Sequence, residues 1–125
     1  MKHRSSLILV VEDDESVRLG TIAVLEQFGG YQILAADNGR LAVELFEKHA
    51  DEIAVVLLDL TMPVMSGEIA LNEIRRIRPD VRVVIMSGYS QDKALERYSE
   101  LNTSGFLPKP FDMEDLLAKI GEALR

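Results

Sequence analysis

Val55-Val56-Leu57-Leu58-Asp59-Leu60-Thr61-Met62-Pro63 is the stretch whose reading decides the fold. Its opening apolar run reads as a strand buried on both faces, the habit of a central parallel strand rather than a half-wet one. The run ends on an acid. Aspartate is a poor strand residue, and an unpaired charge is costly to bury. Asp59 is therefore expected where the strand leaves the sheet and the site opens to water. Met62-Pro63 then turns the backbone away from helix.

The same grammar repeats on either side. Residues 7–11 are an all-apolar strand that also runs into acids, Glu12, Asp13, Asp14 and Glu15. A helix follows over about 16–28, with Val17, Val24, Leu25 and Phe28 on one face. Asp14 or Ser16 can cap it, and Gly29-Gly30 stops it. Residues 31–35 form a second strand, and Asp37-Asn38-Gly39 is turn chemistry. The next helix runs to about Lys48, with Ala42, Leu45 and Phe46 inward. Beyond Pro63, Ser66-Gly67 opens a helix carrying Ala70, Leu71, Ile74 and Ile77, ended by Pro79-Asp80. A fourth strand covers 81–86, with Ser87-Gly88 directly after it. The helix predicted over 91–101 has Ala94, Leu95, Tyr98 and Leu101 as its apolar residues, so it is expected to be the least anchored. A short strand at 105–108 leads into Lys109-Pro110. Asp112 then caps a last helix with Leu116, Leu117, Ile120 and Leu124 inward. The alternation is (βα)5, an α/β fold with a doubly wound parallel sheet covered on both faces.

A chain of 125 residues is one domain with one sheet's worth of core. Residues 1–6 read as a short basic leader or linker stub, and 7–125 as the domain. With no cysteine there is no disulfide and no thiolate metal site, which suits a cytoplasmic home. No apolar run approaches the ~20 residues of a membrane span. A net charge of −7 without a Lys/Arg cluster argues against direct nucleic-acid binding.

In an open α/β sheet the working groups collect past the carboxyl ends of the strands. There the chain places Glu12 and Asp13 after the first strand, and Asp59 and the backbone at Thr61 after the third. It places Ser87 after the fourth and Lys109 after the fifth. The second strand contributes nothing reactive, as an edge strand would. Acids gathered in one mouth repel: at ~4 Å and an effective dielectric of ~20, each like-charged pair costs ~4 kcal/mol. Three acids against one lysine leave the cluster two charges negative, which a divalent cation cancels. Oxygen ligands without His or Cys favour Mg2+ or Mn2+ over zinc. Such a site suits phosphoryl chemistry, since a carboxylate needs no general base to act as nucleophile. Cation, Lys109 and the Ser87 hydroxyl would steady the oxygens of the incoming group, and Gly88 leaves it room.

These residues together resemble the receiver domain of bacterial two-component response regulators, over about 6–125. Glu12-Asp13, Asp59 with Met62-Pro63 and Ser66-Gly67, Ser87-Gly88 and Lys109-Pro110 fall in that family's order and spacing. The resemblance implies a flavodoxin-like sheet of strand order 2-1-3-4-5. It implies phosphorylation of Asp59 by a histidine kinase or phosphotransfer domain, with Glu12, Asp13, Asp59 and the Thr61 carbonyl holding Mg2+. Ser87 would turn toward the phosphoryl group, Lys109 would pair with it, and Lys109-Pro110 would be cis. The readout would be altered partner binding, a homodimer among the options, through the face of the fourth helix, fifth strand and fifth helix. Such a domain is not an enzyme beyond its own phosphorylation and dephosphorylation. Glu12 stands where Asp is commoner, Ser87 where Thr is frequent, and Phe106 where a switch tyrosine is frequent. Ser87-Gly88-Tyr89 resembles receivers of hybrid sensor kinases, so an excised hybrid receiver is preferred to a stand-alone regulator.

The alternative is a Mg2+-dependent phosphohydrolase with an aspartyl nucleophile. Such enzymes usually carry the nucleophile after the first strand with a second Asp two residues on, whereas here Thr61 follows Asp59 at that distance. A flavodoxin-like nucleotide site would need a phosphate-binding loop where Glu12 to Glu15 would repel it. Asp14 and Glu15 read as helix-dipole charges, His49 as structural, and Met62, Met65 and Met86 as packing. Leu19 and Ile22 lie off the inward face of the first helix, either as ordinary exposed apolars or as a partner-docking patch.

Overall fold

A computed structural model describes residues 6–60, 65–88 and 103–125. Its elements run β1 (Leu7–Val11), α1 (Glu15–Gly29), β2 (Gln32–Ala36), α2 (Gly39–His49) and β3 (Ile53–Asp59). They continue with α3 (Gly67–Ile77), β4 (Arg82–Ser87), β5 (Gly105–Pro108) and a C-terminal helix, here α4 (Met113–Leu124). The helix expected over 91–101 lies outside the described residues, as do Thr61, Met62 and Pro63. The strands form one parallel sheet in the order β2-β1-β3-β4-β5. β3 is central, and β2 lies at an edge with only Ala36 fully buried along it.

Strand alternation sorts the side chains into two layers. Leu9, Val11, Val56, Leu58, Val83 and Ile85 face α2 and α3, packing on Ala42, Phe46, Leu71 and Ile74. Ile8, Val10, Val55, Leu57, Val84 and Met86 face α1 and α4, packing on Leu25, Leu116 and Ile120. The central strand is thus apolar on consecutive residues because each face has its own core.

Each of the described helices starts on a residue suited to cap it. Asp14, Asn38, Ser66 and Asp112 accept from the backbone amides of Val17, Leu41, Ile69 and Asp115. Gly30 ends α1 at φ 70°, a conformation that favours glycine. Arg78 Nη1 donates to the carbonyls of Ala50 and Ile53 at 2.5 and 2.8 Å and ties down the entry to β3.

Three details depart from the sequence reading. Phe28 is 64% exposed, because Tyr31 packs its ring against Gly29 and fills the seam at the end of α1. The inward positions of α1 are Thr21 and Leu25, with Val24 at their side. Ile77, on the last turn of α3, is 37% exposed, the core having closed at Ile74. Asp59 is still in the ladder, opposite Met86, and is 3% exposed, so β3 does not reach open water at its acid.

Candidate functional site

The ladder itself brings the polar groups to one rim. Val11 lies opposite Leu58, so Glu12 comes level with Asp59, and the Glu12 amide extends the pairing by donating to Ala36 O at 3.0 Å. Leu60 N donates to Met86 O at 3.2 Å, and Lys109 N to Ser87 O at 2.8 Å. Strand parity then divides the rim. Glu12, Asp59 and Lys109 continue the series that faces α1 and α4, whereas Ser87 and Phe106 continue the one that faces α2 and α3. Phe106 is half-buried against that second layer, and Ser87 is fully buried.

Lys109 joins the two buried acids. Its Nζ donates to Asp59 Oδ2 at 3.2 Å and meets Glu12 Oε1 at 2.5 Å, a charge contact without hydrogen-bond alignment. Glu12 Oε2 accepts from the backbone amide of Asp14 at 3.1 Å. The Lys109-Pro110 peptide is cis. Burial pushes the Glu12 carboxyl up to about 7. The Asp59 charge adds to this, while Lys109 and the Asp14 amide work against it. For Lys109, burial disfavours the charge, but the carboxylates of Glu12 and Asp59 outweigh it and hold the ammonium above the ordinary lysine value.

Asp13 completes the group from the exposed side. Carboxylate oxygens of Glu12, Asp13 and Asp59 lie within 4.8 Å of one another. Exposed acids gather on many surfaces without consequence, but here Glu12 and Asp59 are out of solvent and cannot rely on water to screen them. The donors are all oxygens, and the buried Glu12 Oε1 has no aligned hydrogen bond. That set fits a hard divalent cation such as Mg2+ or Mn2+. The expected contribution of the Thr61 carbonyl lies outside the described residues.

Two contacts were not anticipated. Arg18 Nη1 donates to Glu12 O at 3.0 Å. A lone basic residue just after a run of four acids, in the first turns of a helix where a cation is disfavoured, was the available signal. Gly67 lies against the backbone of Asp59: a Cβ there would press on Asp59 O and stand 2.5 Å from Leu60 Cα. Beside the rim, a cavity of about 500 Å3 separates α1 from the start of α4, walled by Val17, Val24, Phe111, Met113 and Leu116 and reaching Lys109. Leu19, on the same helix, is 57% exposed, whereas Ile22 is half-buried. No helix among the described residues is long and apolar enough to cross a membrane.

The family model for the response regulator receiver domain matches residues 8–121. The sensor kinase CckA of Brucella abortus (strain 2308) is 36% identical over 120 residues, which cover 96% of this chain but only 13% of CckA. The chemotaxis protein CheY of Bacillus subtilis (strain 168) is 32% identical over 124 residues, 99% of either chain. The crystal structure of a response regulator receiver domain protein from Clostridium thermocellum superposes with a TM-score of 0.87 at 28% identity, over 95% of this chain and 94% of that one.

Proposed function

The chain belongs to the response regulator receiver domain family, and on that premise we propose that it is a switch driven by phosphorylation of Asp59. The donor would be a phosphohistidine on a histidine kinase or phosphotransfer domain. The observation that carries the reading is Lys109 Nζ at 3.2 Å from the buried Asp59 carboxylate, in a pocket that also gathers Glu12 and Asp13. In the transfer, an Asp59 oxygen bonds to phosphorus while the phosphorus–nitrogen bond breaks and the histidine nitrogen keeps the electron pair. A divalent cation, Mg2+ or Mn2+, held by Glu12, Asp13, Asp59 and the Thr61 carbonyl, would supply neutralising charge. Lys109 meets the phosphoryl oxygens, Ser87 turns its hydroxyl toward them, and burial keeps water off the acceptor.

The signal leaves through Ser87 and Phe106, which share one strand parity. Partner affinity then changes on the face made by residues 91–101, β5 and α4. The new contacts at the phosphoryl group supply the differential affinity that any such shift requires. The phosphodonor approaches over the cavity beside Lys109, with the exposed Leu19 on the helix that forms one of its walls. The domain spans residues 7–125, works in the cytoplasm, and catalyses only its own phosphorylation and dephosphorylation. The likeness to CckA supports a hybrid sensor kinase as the parent protein.

Incubation with acetyl phosphate and Mg2+ should add the mass of one phosphoryl group. The gain should vanish on chelation and in Asp59→Asn. An unchanged mass for the wild type, or equal uptake by the variant, would sink the reading.

A further inference from the structure

Glu12 and Asp13 flank a single peptide bond, and the acids on its two sides are held very differently. The Glu12 side chain is gripped by the Asp14 amide and by Lys109. The Asp13 carboxylate is exposed, and among the described residues no hydrogen bond or ion pair holds it. Its place is therefore set by the backbone alone. That backbone is fixed at the Glu12 amide by Ala36 O, and at the Glu12 carbonyl by Arg18 Nη1. Arg18 sits in the first turns of α1, where the helix dipole disfavours a cation, and three acids between Glu12 and Ser16 already suit that position. Its use is better explained by what it holds than by helix stability.

We propose that Arg18 is a positioning residue for the cation site: by holding the Glu12 carbonyl it sets the plane of the Glu12–Asp13 peptide and so the stance of the Asp13 carboxylate. This rests on the reading of Glu12, Asp13 and Asp59 as ligands of a divalent cation. Groups that orient metal ligands from behind typically change metal affinity by 10–100-fold when removed. Electrostatics alone predicts the opposite sign here. Deleting a positive charge beside an acidic site should tighten its hold on a cation.

The test is Mg2+ titration of the intact chain by calorimetry for wild type, Arg18→Met and Arg18→Lys, with thermal unfolding in EDTA alongside. Arg18→Met keeps the apolar stem but loses the donor and the charge, and its Mg2+ dissociation constant should rise about tenfold. Arg18→Lys keeps a donor and the charge and should stay within about threefold of wild type. A clamp that served only the fold would lower the unfolding temperature in EDTA and leave the Mg2+ affinity of the folded protein unchanged. Unchanged or tighter binding by Arg18→Met, or equal loss in both variants, overturns the role of Arg18 while leaving the cation site standing. A wild type that takes up no Mg2+ overturns both.

Discussion

Lys109 is the residue that lets Glu12 and Asp59 lie side by side out of water. Its ammonium touches both, and it is itself 22% exposed, so the triad is shielded from solvent screening. Replacing it with methionine leaves two buried acids facing each other. Lys109→Met should cost about 3 kcal/mol in urea unfolding with EDTA present. Part of that loss should return when Mg2+ is added, since a cation can stand in for the missing charge. An equal loss with and without Mg2+ would show that the acids do not share a cation. Gly67 makes a second point at this scale. Alanine is the better helix residue by about 1 kcal/mol. Yet its Cβ would collide with the Asp59 carbonyl oxygen, and the obstacle is backbone rather than a side chain that can swing aside. Gly67→Ala should therefore destabilise by about 2 kcal/mol and, on the proposed function, slow phosphoryl uptake from acetyl phosphate, because the backbone of Asp59 must shift. Retained stability would mean that the start of α3 can move away freely.

Among the elements, α1 carries the clearest unresolved conflict. Thr21 is 3% exposed on its inward face, and its hydroxyl has no hydrogen-bond partner among the described residues. Valine has nearly the same shape without the polar atom. Thr21→Val should raise stability by about 1 kcal/mol, read as an increase in the urea midpoint at constant slope. A loss of stability would mean that the hydroxyl does find a partner in solution. α1 also shows where sequence patterns stop informing. The strands were legible because an unbroken apolar run such as Ile53 to Leu58, bounded by Glu52 and Asp59, suits a buried strand and little else. The caps at Asp14 and Asp112 and the helix start at Ser66 were legible because short polar side chains before apolar periods have a local cause, whereas Asn38 was read only as part of a turn. Phe28 and Ile77 were misread because periodicity gives the direction of a side chain but not where the underlying layer ends. Thr21 was passed over because a threonine on an apolar face looks like a weak hydrophobe.

For the whole molecule, the candidate site belongs to the sheet rather than to any one loop, with β1, β3 and β5 each delivering a charged group to one rim. The positions of these groups past the strand ends, with Lys109 among the acids, were legible, but that Ser87 would face the other layer was not. That division follows from strand parity and register, which only the paired sheet fixes. The grip of Arg18 on Glu12 depends on one side-chain conformation and leaves only a faint trace in the sequence. Because the acids are apart in the unfolded chain, Mg2+ should bind the native state and stabilise it by linkage. At a hundred times its dissociation constant the gain should be about 2.7 kcal/mol for wild type and much smaller for Asp13→Asn, measured by thermal unfolding. Equal stabilisation of both would place the ion elsewhere.

The reliance of Glu12 and Asp59 on a lysine fifty positions beyond the second of them has a temporal side. On the ribosome the acids emerge first, and the nascent chain cannot bring Lys109 to them until its final strand is released. The central strands can begin to pair, but their acidic tips should remain hydrated and apart until then, so that chemical competence arrives in one step with the emergence of β5 and Lys109 rather than growing with each added segment.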